Sequence, residues 1–263
     1  MLVRQMLAGV AQALDLDAND LNDISTAVTE ACNNVVLHAY AGAEGPLEVE
    51  VHVLPDSVEV VVRDHGSGIP PAISAATATK GIGLSVIKAL AQRADFRTGP
   101  LDGGTEVRMA FATPQARALE PFEEGGFEPG AAIAAETDGA IEITVAPAPL
   151  ARVILPRLLS ALAARAHFRT DGIADIQLVA DALTATVPAS ISGSHLSFAI
   201  SVEPRDLELR IAPLIAGHAQ HLIVDSPEGG LGPLIAKLTS SQRVEELASS
   251  DDEMLALRLH DRR

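Results

Sequence analysis

Glu30-Ala31-Cys32-Asn33-Asn34-Val35-Val36-Leu37-His38 is the stretch from which the fold is read. Apolar residues recur at Ile24, Ala27, Val28, Ala31, Val35 and Ala39, the period of an amphipathic helix. Glu30, Asn34 and His38 stand at i, i+4 and i+8. At roughly 100° per residue they form a strip beside the apolar face rather than opposite it. The spacing predicts one helix over about 21–39, ended by Gly42, Gly45 and Pro46. Alone, the strip reads more readily as the wetted flank of a helix. An acid, an amide and an imidazole at the edge of a core also suit a ligand, and the stretches downstream decide for the ligand.

Working outward, residues 1–20 carry an amphipathic helical pattern at Leu2, Met6, Ala13 and Leu14, broken over Asp15–Asp20. Downstream, Leu47, Val49, Val51 and Val53 alternate with Glu48, Glu50 and His52, a half-buried strand. Val58–Val62 follows after Pro55-Asp56-Ser57, which predicts an antiparallel hairpin. The second strand runs into Arg63-Asp64-His65-Gly66-Ser67-Gly68-Ile69-Pro70. Two glycines two apart let a backbone turn tightly and approach another group closely. Asp64, at the strand end, is placed to accept a hydrogen bond from a ligand edge. Pro71–Lys80 is small and polar. Lys80-Gly81-Ile82-Gly83-Leu84 then opens a helix over Ser85–Arg93, and a glycine turn at a helix start offers free N–H groups that suit phosphate. This is neither a P-loop nor a dinucleotide fingerprint, because the required Gly-Lys-Ser/Thr and the third glycine are absent. After an Asp102-Gly-Gly-Thr105 turn, Glu106–Phe111 reads as a strand.

Composition narrows the function classes. The chain has 263 residues, 48% of them hydrophobic, enough for one large or two ordinary domains. Its net charge of −16 argues against nucleic acid and anionic membranes, which need Lys and Arg. The single cysteine, Cys32, excludes an internal disulfide and a cysteine-based zinc site. No signal-like or membrane-spanning run of apolar residues is found, so the expected location is cytoplasmic.

Three elements in order, a helix with E-x-x-x-N, a strand ending D-x-G-x-G and a G-x-G-L turn opening a helix, resemble the ATPase superfamily of gyrase, the heat-shock chaperone, histidine kinases and mismatch-repair ATPases. Within it, Thr29–Tyr40 looks most like the bacterial anti-sigma factor serine kinases. The resemblance covers roughly residues 1–112. It implies ATP and magnesium as ligands, with Asn34 as the amide ligand of the metal and Glu30 as the base that orients or deprotonates the attacking hydroxyl. Asp64 is implied to accept the adenine amino hydrogen, and Gly66 and Gly68 to let base and ribose lie against the backbone. Gly81 and Gly83 are implied to cradle phosphates, with 69–80 as the lid and Thr105 near adenine. His38 and Lys80 are candidates to sit near the phosphates; a helix-end histidine and a solvated lysine are the plain alternatives. The family begins with a strand before the first helix, which this sequence lacks at that place.

The expected fold class is α+β: two two-layer sandwiches in tandem, each a mostly antiparallel mixed sheet with helices on one face, of the Bergerat type. The expected divisions are an ATP-binding kinase-like domain over 1–112, a Pro/Gly/Glu-rich linker over 113–140 and a second copy over 141–263. The second copy repeats the order of elements: a strand at Ile141–Ala146, helices near 150–166 and 175–187, strands at Leu207–Ile211 and Leu255–Leu259, and Gly230-Leu-Gly232 as an echo of Gly81-Ile-Gly83. Pro213 falls at the place of the aspartate, Asp181 falls near that of Glu30, and no asparagine matches Asn34. The resulting expectation is a regulatory ATP-binding protein. It phosphorylates a serine or threonine of an anti-sigma antagonist and binds a sigma factor, with the tandem copies forming a pseudo-dimer within the chain. The alternative is a non-catalytic nucleotide-binding module whose affinity for its partner is set by ATP. A histidine-kinase ATPase half is disfavoured, since no dimerisation helix with a phosphoacceptor histidine is seen.

Overall fold

A computed structural model describes residues 2–41, 43, 45–67, 82–98, 103–113, 141–223, 232–247 and 250–261. The first helices are α1 (Leu2–Leu14) and α2 (Ala18–Asn34), and α2 continues as a π turn over Val35–Ala39. Asp17 separates the two helices as an N-cap, its carboxylate accepting from the N–H groups of Asn19 and Asp20. The hairpin is β1 (Leu47–Leu54) and β2 (Ser57–Asp64), paired in antiparallel register from Leu54↔Ser57 to Leu47↔Asp64. Then come α3 (Ile82–Leu90), β3 (Arg93–Thr98) and β4 (Thr105–Ala112). The helix expected over 85–93 therefore ends earlier, at Leu90. Arg93–Thr98 forms an edge strand whose charged ends, Arg93 and Arg97, suit an edge rather than a sheet interior.

Among the described residues the second half has a similar order, with one further strand at its start and one further helix after its hairpin. It comprises β5 (Ile141–Ala146), α4 (Ala151–Arg165), α5 (Thr170–Thr186), β6 (Leu196–Glu203), β7 (Asp206–Leu214), α6 (His218–Ile223), α7 (Gly232–Leu238), β8 (Ser241–Glu246) and β9 (Glu253–His260). Among the described residues the strands join one nine-stranded sheet in the order β3-β4-β2-β1-β5-β6-β7-β9-β8. The run β8-β9-β7-β6 repeats β3-β4-β2-β1, with every pair within each run antiparallel.

The joint between the halves is β5. It pairs in parallel with β1, Leu47↔Ile141 through His52↔Ala146, and antiparallel with β6. Thus β5 occupies the edge of β1 opposite β2, and the sheets of the two halves become one. On the helix side of this joint α1 packs on α4. A Cβ on Gly9 would lie 3.0 Å from the Val153 carbonyl oxygen and 3.1 Å from Ile154 Cγ1, so the glycine permits the close approach.

Among the described residues the main apolar core runs through both halves, with a small separate cluster of Ala199, Ala212 and Met254. Val49, Val51, Val60, Val62, Val107 and Met109 of the first and Ile143, Val145, Phe198, Leu209 and Leu257 of the second face helix residues such as Met6, Val28, Ile154 and Val179. The opposite sheet face holds a buried ionic group. Arg63 Nε donates to Glu106 Oε2 at 2.7 Å and Arg63 Nη1 donates to Glu50, which also pairs with His52 at 3.3 Å. Burial works against the charge on Glu50. The hydrogen bonds from His52 and Arg63 outweigh it and hold the carboxyl below its ordinary range.

Candidate functional site

Glu30 and Asn34 lie one turn apart near the end of α2, both half-buried. What they face is the start of α3. A Cβ built on Gly83 would lie 2.8 Å from Glu30 Oε2 and 3.6 Å from both amide atoms of Asn34. The carboxylate and the amide therefore converge on one glycine of the G-x-G-L turn, and a Cβ there would push into the carboxylate while only touching the amide.

The other end of the site is built around Asp64, the last residue of β2, which is 4% exposed. A buried carboxylate needs hydrogen-bond partners. One is present: Gly66 N–H donates to Asp64 Oδ1 at 2.8 Å. This turn is held against the end of the π turn. Ser67 N–H donates to the Ala39 carbonyl at 3.0 Å, and a Cβ on Gly66 would lie 2.2 Å from that same oxygen. Gly104, at φ +75°, closes the far side. Its N–H donates to Gly66 O at 2.8 Å, and a Cβ there would lie 1.8 Å from the Asp64 carbonyl oxygen. Thr105 follows, paired across the ladder with Asp64.

One sequence expectation changes, and others fall outside the described residues. The strip Glu30–Asn34–His38 assumed α-winding throughout. The π turn begins at Val35, so His38 leaves the α-helical strip, and it is exposed together with Val36 and Leu37. Gly68, Lys80, Gly81 and the segment 69–80 lie outside the described residues. Two participants were not foreseen from the sequence. Gly104 lies in the Asp102-Gly-Gly-Thr105 turn, whose sequence gives no sign of a contact with Asp64. Tyr40 uses its hydroxyl to accept from His65 N–H at 2.9 Å and to donate to Pro46 O at 2.5 Å. Cys32, beside the site in sequence, is buried and its thiol is pushed up to about 12 by burial, so it remains an inert core residue.

The corresponding places in the second half are differently filled. Counted from the hairpin turns Ser57 and Asp206, Pro213 holds the place of Asp64. Counted from the starts of the equally long α2 and α5, Ala182 and Thr186 hold those of Glu30 and Asn34. Beyond β7, α6 lays Ala219 and Leu222 into the core, and Glu253, first in β9 as Thr105 is in β4, accepts from Ala219 N–H at 3.0 Å.

With this geometry in place, comparison with known proteins is informative. The family model described as histidine kinase-like ATPase domain matches residues 1–111. Serine-protein kinase RsbW of Bacillus licheniformis is 38% identical over 66 residues, which are 25% of this chain and 41% of that protein. The RsbW proteins of Bacillus velezensis (41% over 66 residues, 25% and 41%) and Halalkalibacterium halodurans (40% over 65 residues, 25% and 40%) are similar to the same extent. The chain thus spans about two fifths of the length of these relatives. Among solved structures, the blue-light activated histidine kinase of Erythrobacter litoralis EL346 aligns at 24% identity and a TM-score of 0.32, covering 39% of this chain and 33% of that one. Its histidine kinase domain aligns at 21% and 0.33, covering 43% and 61%. No helix among the described residues is long and apolar enough to cross a membrane.

Proposed function

We propose that residues 1–112 of this ATPase-type chain bind ATP with magnesium, and that the protein transfers the terminal phosphoryl group to a serine or threonine of an anti-sigma antagonist and holds a sigma factor. The observation that carries this reading is the convergence of Glu30 and Asn34 on Gly83 at the start of α3. The N–H groups of a helix start favour phosphate, and the two side chains needed for transfer lie against it. Similarity to proteins named serine-protein kinases supports the direction of the chemistry.

Each residue then has a task. Asp64 Oδ1 is engaged by Gly66 N–H, which leaves Oδ2 to accept the adenine amino hydrogen. Gly66, with no side chain, lets the base lie against the turn. Thr105 stands beside Asp64 on the next strand and places a hydroxyl at the same end. Glu30 orients the acceptor hydroxyl and takes its proton. Among the described residues no group of three His, Cys, Asp or Glu could hold a metal alone, so the donor set fits an ion shared with a ligand's own oxygens, with Asn34 Oδ1 as the protein's contribution. Magnesium there supplies charge neutralisation for a transfer that depends chiefly on positioning. Gly68, Lys80 and Gly81 keep the phosphate and backbone roles that the sequence resemblance gives them. His38, exposed on the π turn, takes no part in the proposal.

Residues 141–263 are proposed as a companion half that binds no nucleotide, completing the sheet beside β1 as a second protomer would. Pro213, Ala182 and Thr186 offer neither the carboxylates nor the amide of the first half, and proline has no N–H to give.

Incubation of the full chain with labelled ATP, magnesium and candidate antagonists tests this reading. Phosphoserine or phosphothreonine should form with wild type, vanish with Glu30→Gln while nucleotide still binds, and weaken with Asn34→Ala through loss of binding itself. Nucleotide binding without transfer to any antagonist would leave only a nucleotide-gated binding module.

A further inference from the structure

We infer that Tyr40 is a positioning residue that sets the adenine end of the proposed site, at Asp64–Gly66, in register with the phosphate end, at Glu30–Asn34. This rests on the nucleotide reading above. The two ends are joined by the π turn over Val35–Ala39. A π turn is a rare and irregular winding, so its own ladder fixes the exit direction poorly, and contacts at its end must do so. Among the described residues, three converge on the Ala39 carbonyl: the Ser67 N–H, the Ser67 hydroxyl at 3.4 Å, and Gly66 packed against it. The Tyr40 side chain is a further one, and it reaches beyond that carbonyl to both neighbouring segments.

Its hydroxyl is used in both senses, accepting from His65 N–H at 2.9 Å and donating to Pro46 O at 2.5 Å. His65 is the residue between Asp64 and Gly66, so the phenol holds the middle of the D-x-G turn. Pro46 immediately precedes β1, so the same phenol also fixes the return of the chain into the sheet. The ring lies flat enough on Gly45 that a Cβ there would come within 2.3 Å of it, which leaves the ring no freedom on that side. Burial raises the phenol above its ordinary pKa; the His65 hydrogen bond opposes this, and the charges of Asp64 and Glu48 add to it. The hydroxyl therefore keeps its proton at neutral pH and continues to donate.

The second half provides an internal contrast. The segments that follow α5 and β7 meet through backbone bonds, Ile215 N–H to Ser190 O at 2.9 Å and Ser192 N–H to Pro213 O at 3.3 Å. The half that carries Asp64, Glu30 and Asn34 is the half with the side-chain staple.

Tyr40→Phe removes the hydroxyl and keeps the ring. The full-length wild type and variant would be titrated calorimetrically with magnesium–ATP, which spans both ends, and with adenosine, which reaches only the adenine end. ATP affinity should fall about fivefold to tenfold, the scale of one lost hydrogen bond. Adenosine affinity should change less than about twofold, because Asp64 itself is intact. Equal losses for both ligands would mark a general structural role, and no loss for ATP would also overturn the inference. If wild type binds neither ligand, the nucleotide reading itself fails, an outcome distinct from both. The chain has one tyrosine and no tryptophan, so 3-fluorotyrosine labels this position alone. Should Tyr40→Phe fail to fold, the single fluorine resonance of labelled wild type provides the test. It should move on saturation with ATP and stay near its free position with adenosine, and a resonance that ATP leaves unmoved would overturn the inference.

Discussion

Gly83→Ala separates the fold from the chemistry. The added Cβ would lie 2.8 Å from Glu30 Oε2 and 3.6 Å from the Asn34 amide atoms. The first distance is too short and the second is ordinary contact, so Glu30 must move and Asn34 need not. The group that moves is the far end of a flexible side chain. Forcing it off its rotamer costs about 0.5–1.5 kcal/mol. Replacing glycine by alanine within α3 returns roughly 0.5–1 kcal/mol through helix propensity. The net change in stability is within about 1 kcal/mol, a shift of about 2–4 °C for a chain of this size. Catalysis is less tolerant, because displacing a base by a fraction of an ångström to an ångström costs on the order of tenfold to a hundredfold. The assay pairs thermal unfolding with phosphoryl transfer to the antagonist. Unchanged transfer at unchanged stability would refute the placement of Gly83 against a working Glu30. A fall of more than about 10 °C would refute the claim that the neighbouring group yields.

Gly66→Ala makes the opposite prediction: its Cβ would lie 2.2 Å from the Ala39 carbonyl oxygen and 2.6 Å from its carbon, which are backbone atoms that cannot step aside. Stability in denaturant should drop by about 2–3 kcal/mol, and a loss under about 0.5 kcal/mol would contradict the contact. Glu50 predicts an acid limb. Its folded pKa lies below the unfolded value of about 4.3, so its contribution is complete above that value and disappears as pH falls through the lower folded one. Wild-type stability should therefore decline below about pH 4 more steeply than that of Glu50→Gln, and parallel profiles would count against it.

Much of this was legible in the sequence for identifiable reasons. Glu30 and Asn34 share a face because α-winding brings i and i+4 together, and that winding holds to Asn34. The β1–β2 hairpin followed from strict alternation, and Asp64 at a strand end followed from the glycines after it. The π turn was not legible. It depends on what catches Ala39, and the partners at Gly66 and Ser67 lie 27 and 28 residues further on. For that reason His38 was grouped with a strip it leaves. The edge strand β3 was hidden because only Ala94 and Phe96 pack inward, too few to override the helical pattern before it. The parallel β1–β5 ladder joins residues nearly a hundred positions apart, a pairing that local periodicity does not record. Tyr40 stood in the quoted motif without a task, because a hydroxyl that ties two loops gives no periodic signal.

Calorimetric titration of the full chain with magnesium–ATP tests the central claim most directly. One nucleotide should bind per chain, with the binding lost in Asn34→Ala while the unfolding midpoint without ligand stays near that of wild type. No binding by wild type, or two nucleotides per chain, would contradict it.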